Sequence, residues 1–136
     1  MTEEQQMWIE RALSNQNIWG VRKARQYLKE LVEKSEGRCR WTGLPLKFDR
    51  VSGTGRRDPL AAVIEHRQPG DNCEGHDIVC SYINQMKGCL PWKVWWALAG
   101  TTEFQEWMSG LRAEYEQTGT LAHPRIRATP QAHTDT

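Results

Sequence analysis

Glu65 and His66 close an apolar run, and Asn84 and Lys87 follow them in the stretch IEHRQPGDNCEGHDIVCSYINQMKGC, Ile64 to Cys89. A carboxylate is a hard oxygen ligand suited to Mg²⁺ or Mn²⁺. A neutral imidazole beside it can take a proton from water at about pH 7. Neighbours on a strand point to opposite faces, but at a strand end where the chain curves both can approach one site. The amide oxygen of Asn84 can reach the same ion from the start of a helix. Lys87 lies one helical turn further on, on the same side, where it can contact a phosphate. An acid ligand, a base, a neutral oxygen ligand and a cation are what metal-assisted hydrolysis of a phosphodiester requires.

The elements that must position these groups can be read from periodicity and breakers. Thr2 to Asn15 reads as a helix capped by Thr2, with Glu3 and Glu4 at its positive end. A second helix is predicted from about Ile18 to Lys34, with Ala24, Tyr27, Leu28, Leu31 and Val32 on one face and Gly37 as its stop. Residues 39–48 read as a turn into an extended segment, and 49–59 as loop. The run 60–66 reads as a buried strand, 67–75 as a second loop, and 76–81 as a second strand. A helix starts near Tyr82 and ends at Gly88. Two more are predicted at 91–100 and 101–117, with Pro91 in the first turn of one and Thr101 or Thr102 capping the other. From Thr118 the polar, proline-bearing chain reads as a mobile tail.

Length and composition bound the rest. At 136 residues the chain reads as one domain, and a mean hydropathy of -0.73 describes a polar chain with a modest core. No apolar run reaches the roughly 18 residues of a membrane span. The start, MTEEQQMW, lacks the features of a signal peptide, so a cytoplasmic location is expected. Net charge is +1 but uneven: residues 1–36 balance, 37–93 carry +3 and 94–136 carry -2. That excess in the middle is compatible with a polyanionic partner. The loop cations Arg38, Arg40, Arg56, Arg57 and Arg67 are the candidate phosphate contacts. Seven tryptophans are many for this length, and Trp92, Trp95 and Trp96, at i, i+3 and i+4, read as core rather than as a stacking platform.

The stretch 37–90 resembles the HNH endonuclease family, whose fold is the ββα-metal motif. GRCRWTGLPL is similar to the family's lead-in segment, IEHRQPG to its acidic-His-x-x-Pro strand end, and CSYINQMKG to the Cys-x-x-x-Asn-x-x-Lys-Gly stretch that opens the metal-binding helix. The resemblance implies His66 as the general base and Glu65 and Asn84 as metal ligands, with Mg²⁺ or Mn²⁺ as cofactor. The implied products carry a 5′-phosphate and a 3′-hydroxyl. It also implies an α+β fold in which a short antiparallel hairpin and a helix, residues 37–90, are embedded between N-terminal helices (1–36) and C-terminal helices (91–117), with 118–136 as tail.

Two departures stand out. The family's central Asn, which orients the base, is missing: position 75 is Gly and position 76 is His. His76 can substitute, or Asp77 with a shortened loop, whereas Asn72 comes early. The second departure is zinc. Thr42 and Ile83 replace the second cysteine of each knuckle, leaving Cys39 and Cys80. Two thiolates do not make a four-ligand site. Cys73, Cys89 or His76 would have to complete one, and packing by Trp41 and neighbouring aromatics is the favoured staple.

The expected function is therefore a metal-dependent nuclease acting on DNA, with RNA left open as substrate. The competing expectation is a non-cleaving module on the same scaffold that binds nucleic acid or protein. Reading a specific site takes roughly 1,000 Å² of contact or more. So small a domain implies weak sequence preference, unless it forms a homodimer or works beside a larger protein partner.

Overall fold

Helix α1 spans Glu3–Ser14 and is fixed at its start by a reciprocal cap: the Gln5 amide donates to the Thr2 hydroxyl at 3.1 Å, and the Thr2 amide donates to the Gln5 side chain at 3.0 Å. The structure, a computed structural model, describes residues 1–15, 18, 20–49 and 58–122, without the side chains of 71–74. Trp8, Ile9 and Ala12 turn the apolar stripe of α1 inward. The Trp8 indole donates to the Ala62 carbonyl at 3.0 Å and so ties α1 to the first strand.

Helix α2 spans Ala24–Ser35, and Leu28 and Val32 are its buried face. It begins later than the periodicity suggests. Gly20 and Lys23 both have positive φ, +67° and +52°, and a right-handed helix cannot run through such residues. Ile18 is buried in the core without being helical. At the other end Glu36 and Gly37 are both left-handed, as expected of a stop at Gly37.

The segment 38–48 folds into a tight loop through the pairs Cys39 N to Leu44 O, Gly43 N to Cys39 O and Leu46 N to Gly37 O. Lys47 then bridges to Ala61. Strand β1 (Ala62–Gln68) pairs antiparallel with β2 (Asp71–Cys80), with Glu65 opposite Asp77 and His66 opposite His76. β1 is as long as the expected run but shifted two residues along the chain, and β2 is longer than expected, because 67–75 is not a loop. Only Pro69 and Gly70 turn the chain. Pro at the first central position and Gly with φ +75° at the second fit a type II turn. The register slips once, between His66 and Gln68.

Helix α3 (Ser81–Lys87) follows β2 without a linker and packs on both strands. Its first amides have no partners within the helix. The chain before β1 supplies them: Ser81 N donates to Ala61 O at 2.9 Å and Tyr82 N to Pro59 O at 3.0 Å. Helix α4 (Trp92–Ala99) and helix α5 (Thr102–Thr118) close the fold, the latter capped by the Thr101 hydroxyl. Trp95, Phe104, Met108 and Leu111 join Tyr82 and Ile83 in one buried cluster. The start of the expected tail is fixed, since Leu121 is 3% exposed in that core. Residues 123–136 lie outside the described part. The chain is thus an α+β fold with five helices and one two-stranded hairpin among the described residues. Among those residues no helix is long and apolar enough to cross a membrane.

Candidate functional site

The pleat of the hairpin sorts the site residues into two sets, because residues directly opposite in an antiparallel pair share a face. Glu65 and Asp77 form one pair, and His66 and His76 the other, so Glu65 and His66 stand within β1 on opposite faces rather than at a strand end, and the register shift begins directly after His66. The two imidazoles meet edge to face with ring centroids 4.7 Å apart. Sequence spacing offered His76, or Asp77 with a shortened loop, as the substitute for the missing Asn and placed Asn72 too early. The fold brings His76 against His66. The Asn72 side chain lies outside the described residues.

His76 is held from its other side by α2. The Tyr27 hydroxyl lies 2.9 Å from His76 Nδ1, and the two rings meet edge to face at 5.5 Å. His76 is 2% exposed. Burial drives its pKa down to about 4, with help from the neighbouring His66 and against the pull of Asp77. It is therefore neutral at about pH 7. Tyr27 was legible only as an apolar-face helix residue, although a half-buried tyrosine hydroxyl usually has a polar partner.

Asp77 clamps two arginines. Arg40 donates to it at 2.8 Å, and Arg67 donates through two nitrogens at 3.1 and 3.2 Å. The contact holds the two guanidiniums in fixed positions beside the hairpin. Arg38 is exposed at the mouth of the 38–48 loop and donates to Gly43 O. Arg56 and Arg57, expected as phosphate contacts, lie outside the described residues.

Glu65 is sealed from solvent at 4% exposure. Its Oε2 finds no hydrogen-bond partner among the described residues. Burial raises its pKa to about 7, against the attraction of Lys87 and with the repulsion of Asp77. A carboxylate so placed is costly unless a proton or a cation neutralises it.

Lys87 is expected at a phosphate and is found elsewhere. It is 1% exposed, and Nζ donates to the backbone carbonyls of His66 at 3.4 Å and Arg67 at 3.2 Å. The reason is the direct β2–α3 junction, which lays α3 across β1 and points its last turn inward. Lys87 thus ties the helix to the stretch of β1 that carries His66. Asn84 lies one turn earlier on α3 and is half-buried.

Cys39 and Cys80 are both buried and meet each other and Thr42. Burial pushes the Cys39 thiol up, but hydrogen bonds from Cys80 and Thr42 outweigh it and bring it below the usual thiol range, while the Cys80 thiol facing it is pushed up. Cys89 is exposed, and the Cys73 side chain is outside the described residues. No cluster of three or more His, Cys, Asp or Glu is arranged for a metal among the described residues. What packs over this junction is aromatic: Trp41 touches Trp92, Trp95, Trp96 and Phe104 at centroid distances of 5.7 to 6.2 Å. Of the three helical tryptophans read as core, Trp95 is buried, Trp92 is half-buried and Trp96 is exposed.

No family model, no curated protein and no solved structure matches the chain. The chemistry of the site therefore rests on its own geometry.

Proposed function

We propose that the chain is a divalent-metal-dependent endonuclease of the HNH type that hydrolyses DNA phosphodiester bonds. One observation carries the reading: the Glu65 carboxylate is buried on a hairpin that runs straight into a helix, and its Oε2 has no hydrogen-bond partner among the described residues. Such an oxygen suits Mg²⁺ or Mn²⁺. Glu65, with Asn84 from α3, would hold the ion, which when bound would supply positive charge to the phosphate and the leaving oxygen.

The remaining work belongs to the chain. His66 is the base that takes a proton from the attacking water. His76 packs on the His66 ring and, held by Tyr27, takes the orienting role of the missing Asn. Lys87 fixes the backbone of His66 and Arg67 and so sets where the base stands. Arg38, Arg40 and Arg67 face outward as phosphate contacts, two of them pre-positioned by Asp77.

The test is cleavage of supercoiled, linear and single-stranded DNA by purified protein in Mg²⁺ or Mn²⁺, against EDTA and against His66→Ala. Nicked or linear product that depends on both metal and His66 supports the reading. DNA of every form left intact in both metals overturns it. Chelator-insensitive binding without cutting would then favour the binding-module alternative.

A further inference from the structure

The two arginines that Asp77 clamps belong to two surface features at once. On one side they line a cleft of about 410 Å³ between the end of α2 and β2, together with Lys34, Arg38, His76 and Asp77. That lining sets four cations against one carboxylate. On the other side Arg40 lies over Trp41, Trp92 and Trp96 at 4.7, 5.6 and 5.7 Å from the ring centroids, and Arg67 lies 5.4 Å from Trp92. Trp92 and Trp96 are 5.3 Å apart, and Trp96 is 54% exposed.

Trp96 therefore keeps a large aromatic face open at the edge of the core. Beside fixed guanidiniums it is suited to a flat, π-faced, anionic ligand. Nucleic-acid bases in a duplex have their faces covered by their neighbours, whereas an unpaired strand offers a free face beside every phosphate.

We propose that this continuous surface binds an unpaired DNA strand, with phosphates in the cleft at Lys34, Arg38, Arg40 and Arg67 and a base stacked on Trp96. Charge complementarity selects the occupant: an apolar peptide would leave four cations unused. The inference deepens the nuclease reading and rests on its choice of substrate, yet it concerns binding alone. It also brings α2, through Lys34, into substrate contact, which puts residues outside 37–90 to use.

Fluorescence anisotropy of the full chain in EDTA separates it from cleavage. The probes are oligothymidylate of about 16 nucleotides, an abasic oligomer of equal length, and a duplex of equal length. Oligothymidylate should bind about tenfold tighter than either of the others and should quench tryptophan emission. Trp96→Ala, at a 54% exposed position and with an unchanged urea midpoint as the check on folding, should erase that advantage and leave abasic affinity unchanged. Lys34→Ala combined with Arg38→Ala should weaken both single strands alike. Equal affinity for oligothymidylate and abasic strand, tighter binding of duplex, equal competition by polyglutamate, or no effect of Trp96→Ala overturns the proposal. Should duplex bind tighter while metal-dependent cutting persists, this inference fails and the nuclease reading stands. Should the strand bind as expected while no DNA is ever cut, the reverse holds.

Discussion

His66 and His76 face each other across the hairpin with ring centroids 4.7 Å apart, one on each strand. That pairing joins the sequence's best candidate base to a residue held from behind by α2. It makes the role of each imidazole separable by mutation.

His66→Ala should lower metal-dependent cleavage by about 10² to 10⁴-fold, the usual contribution of a general base. The fold should persist, because His66 is only half-buried. Single-turnover cleavage and circular dichroism measure the two halves. Wild-type rates in the variant would remove His66 from the chemistry.

Tyr27→Phe removes the hydroxyl 2.9 Å from His76 Nδ1 and nothing else. Stability should fall by about 1 kcal/mol, the net worth of one such bond. If His76 positions the base, kcat should drop several-fold at unchanged KM for DNA. A loss of stability with no change in kcat would leave Tyr27 a packing residue.

Lys87→Met should destabilise the fold by about 1 to 3 kcal/mol, because it strips the carbonyls of His66 and Arg67 of their buried donor. It also removes the cation that lowers the Glu65 pKa, so Glu65 should titrate at higher pH than in the wild type. Urea titration and carboxyl NMR report the two effects. A neutral change in stability would mean that the helix–strand tie is redundant.

Two buried groups should give opposing pH dependence in the metal-free protein. The folded pKa of Glu65, about 7, lies above its ordinary 4.5. Between those values the folded state keeps a proton that the unfolded state has lost, so stability falls as pH rises, and the whole cost is present above the upper value. His76 runs the other way, from an ordinary 6.5 down to about 4. In that window the unfolded state takes up a proton that the folded state refuses, so stability rises with pH. Glu65→Gln should expose the His76 trend, with stability climbing through that window. At about pH 8 the variant should exceed the wild type by at most about 3 kcal/mol. Urea titrations in EDTA across this range test both signs; a variant no more stable than wild type at the alkaline end would sink the account of Glu65.

The sequence revealed the elements whose signals are local. Thr2, Glu3 and Glu4 announced the start of α1, the Thr101-Thr102 pair the start of α5, where Thr101 proves to be the cap, and Gly88 the end of α3. It misjudged elements where a turn of two residues looked like a loop. Pro69-Gly70 is flanked by Asp71, Asn72 and Gly75, which read as breakers, yet β2 runs on through them, and the register shift of the hairpin falls in that stretch. The late start of α2 was equally hidden, since positive φ at Lys23 leaves no trace in composition.

By itself the sequence determined the alternation that places Glu65 and His66 on one strand and Asn84 and Lys87 on the next helix, because periodicity and breakers act over a few residues. Only the tertiary structure decided what each group meets. The strand register set His76 against His66, the direct junction of β2 and α3 turned Lys87 inward, and α2 brought Tyr27 to His76. The physical reason is that register, burial and electrostatic environment depend on which distant surfaces pack together. Glu65 has an ordinary carboxyl in the sequence; the fold, by removing water from it, gives it a pKa of about 7.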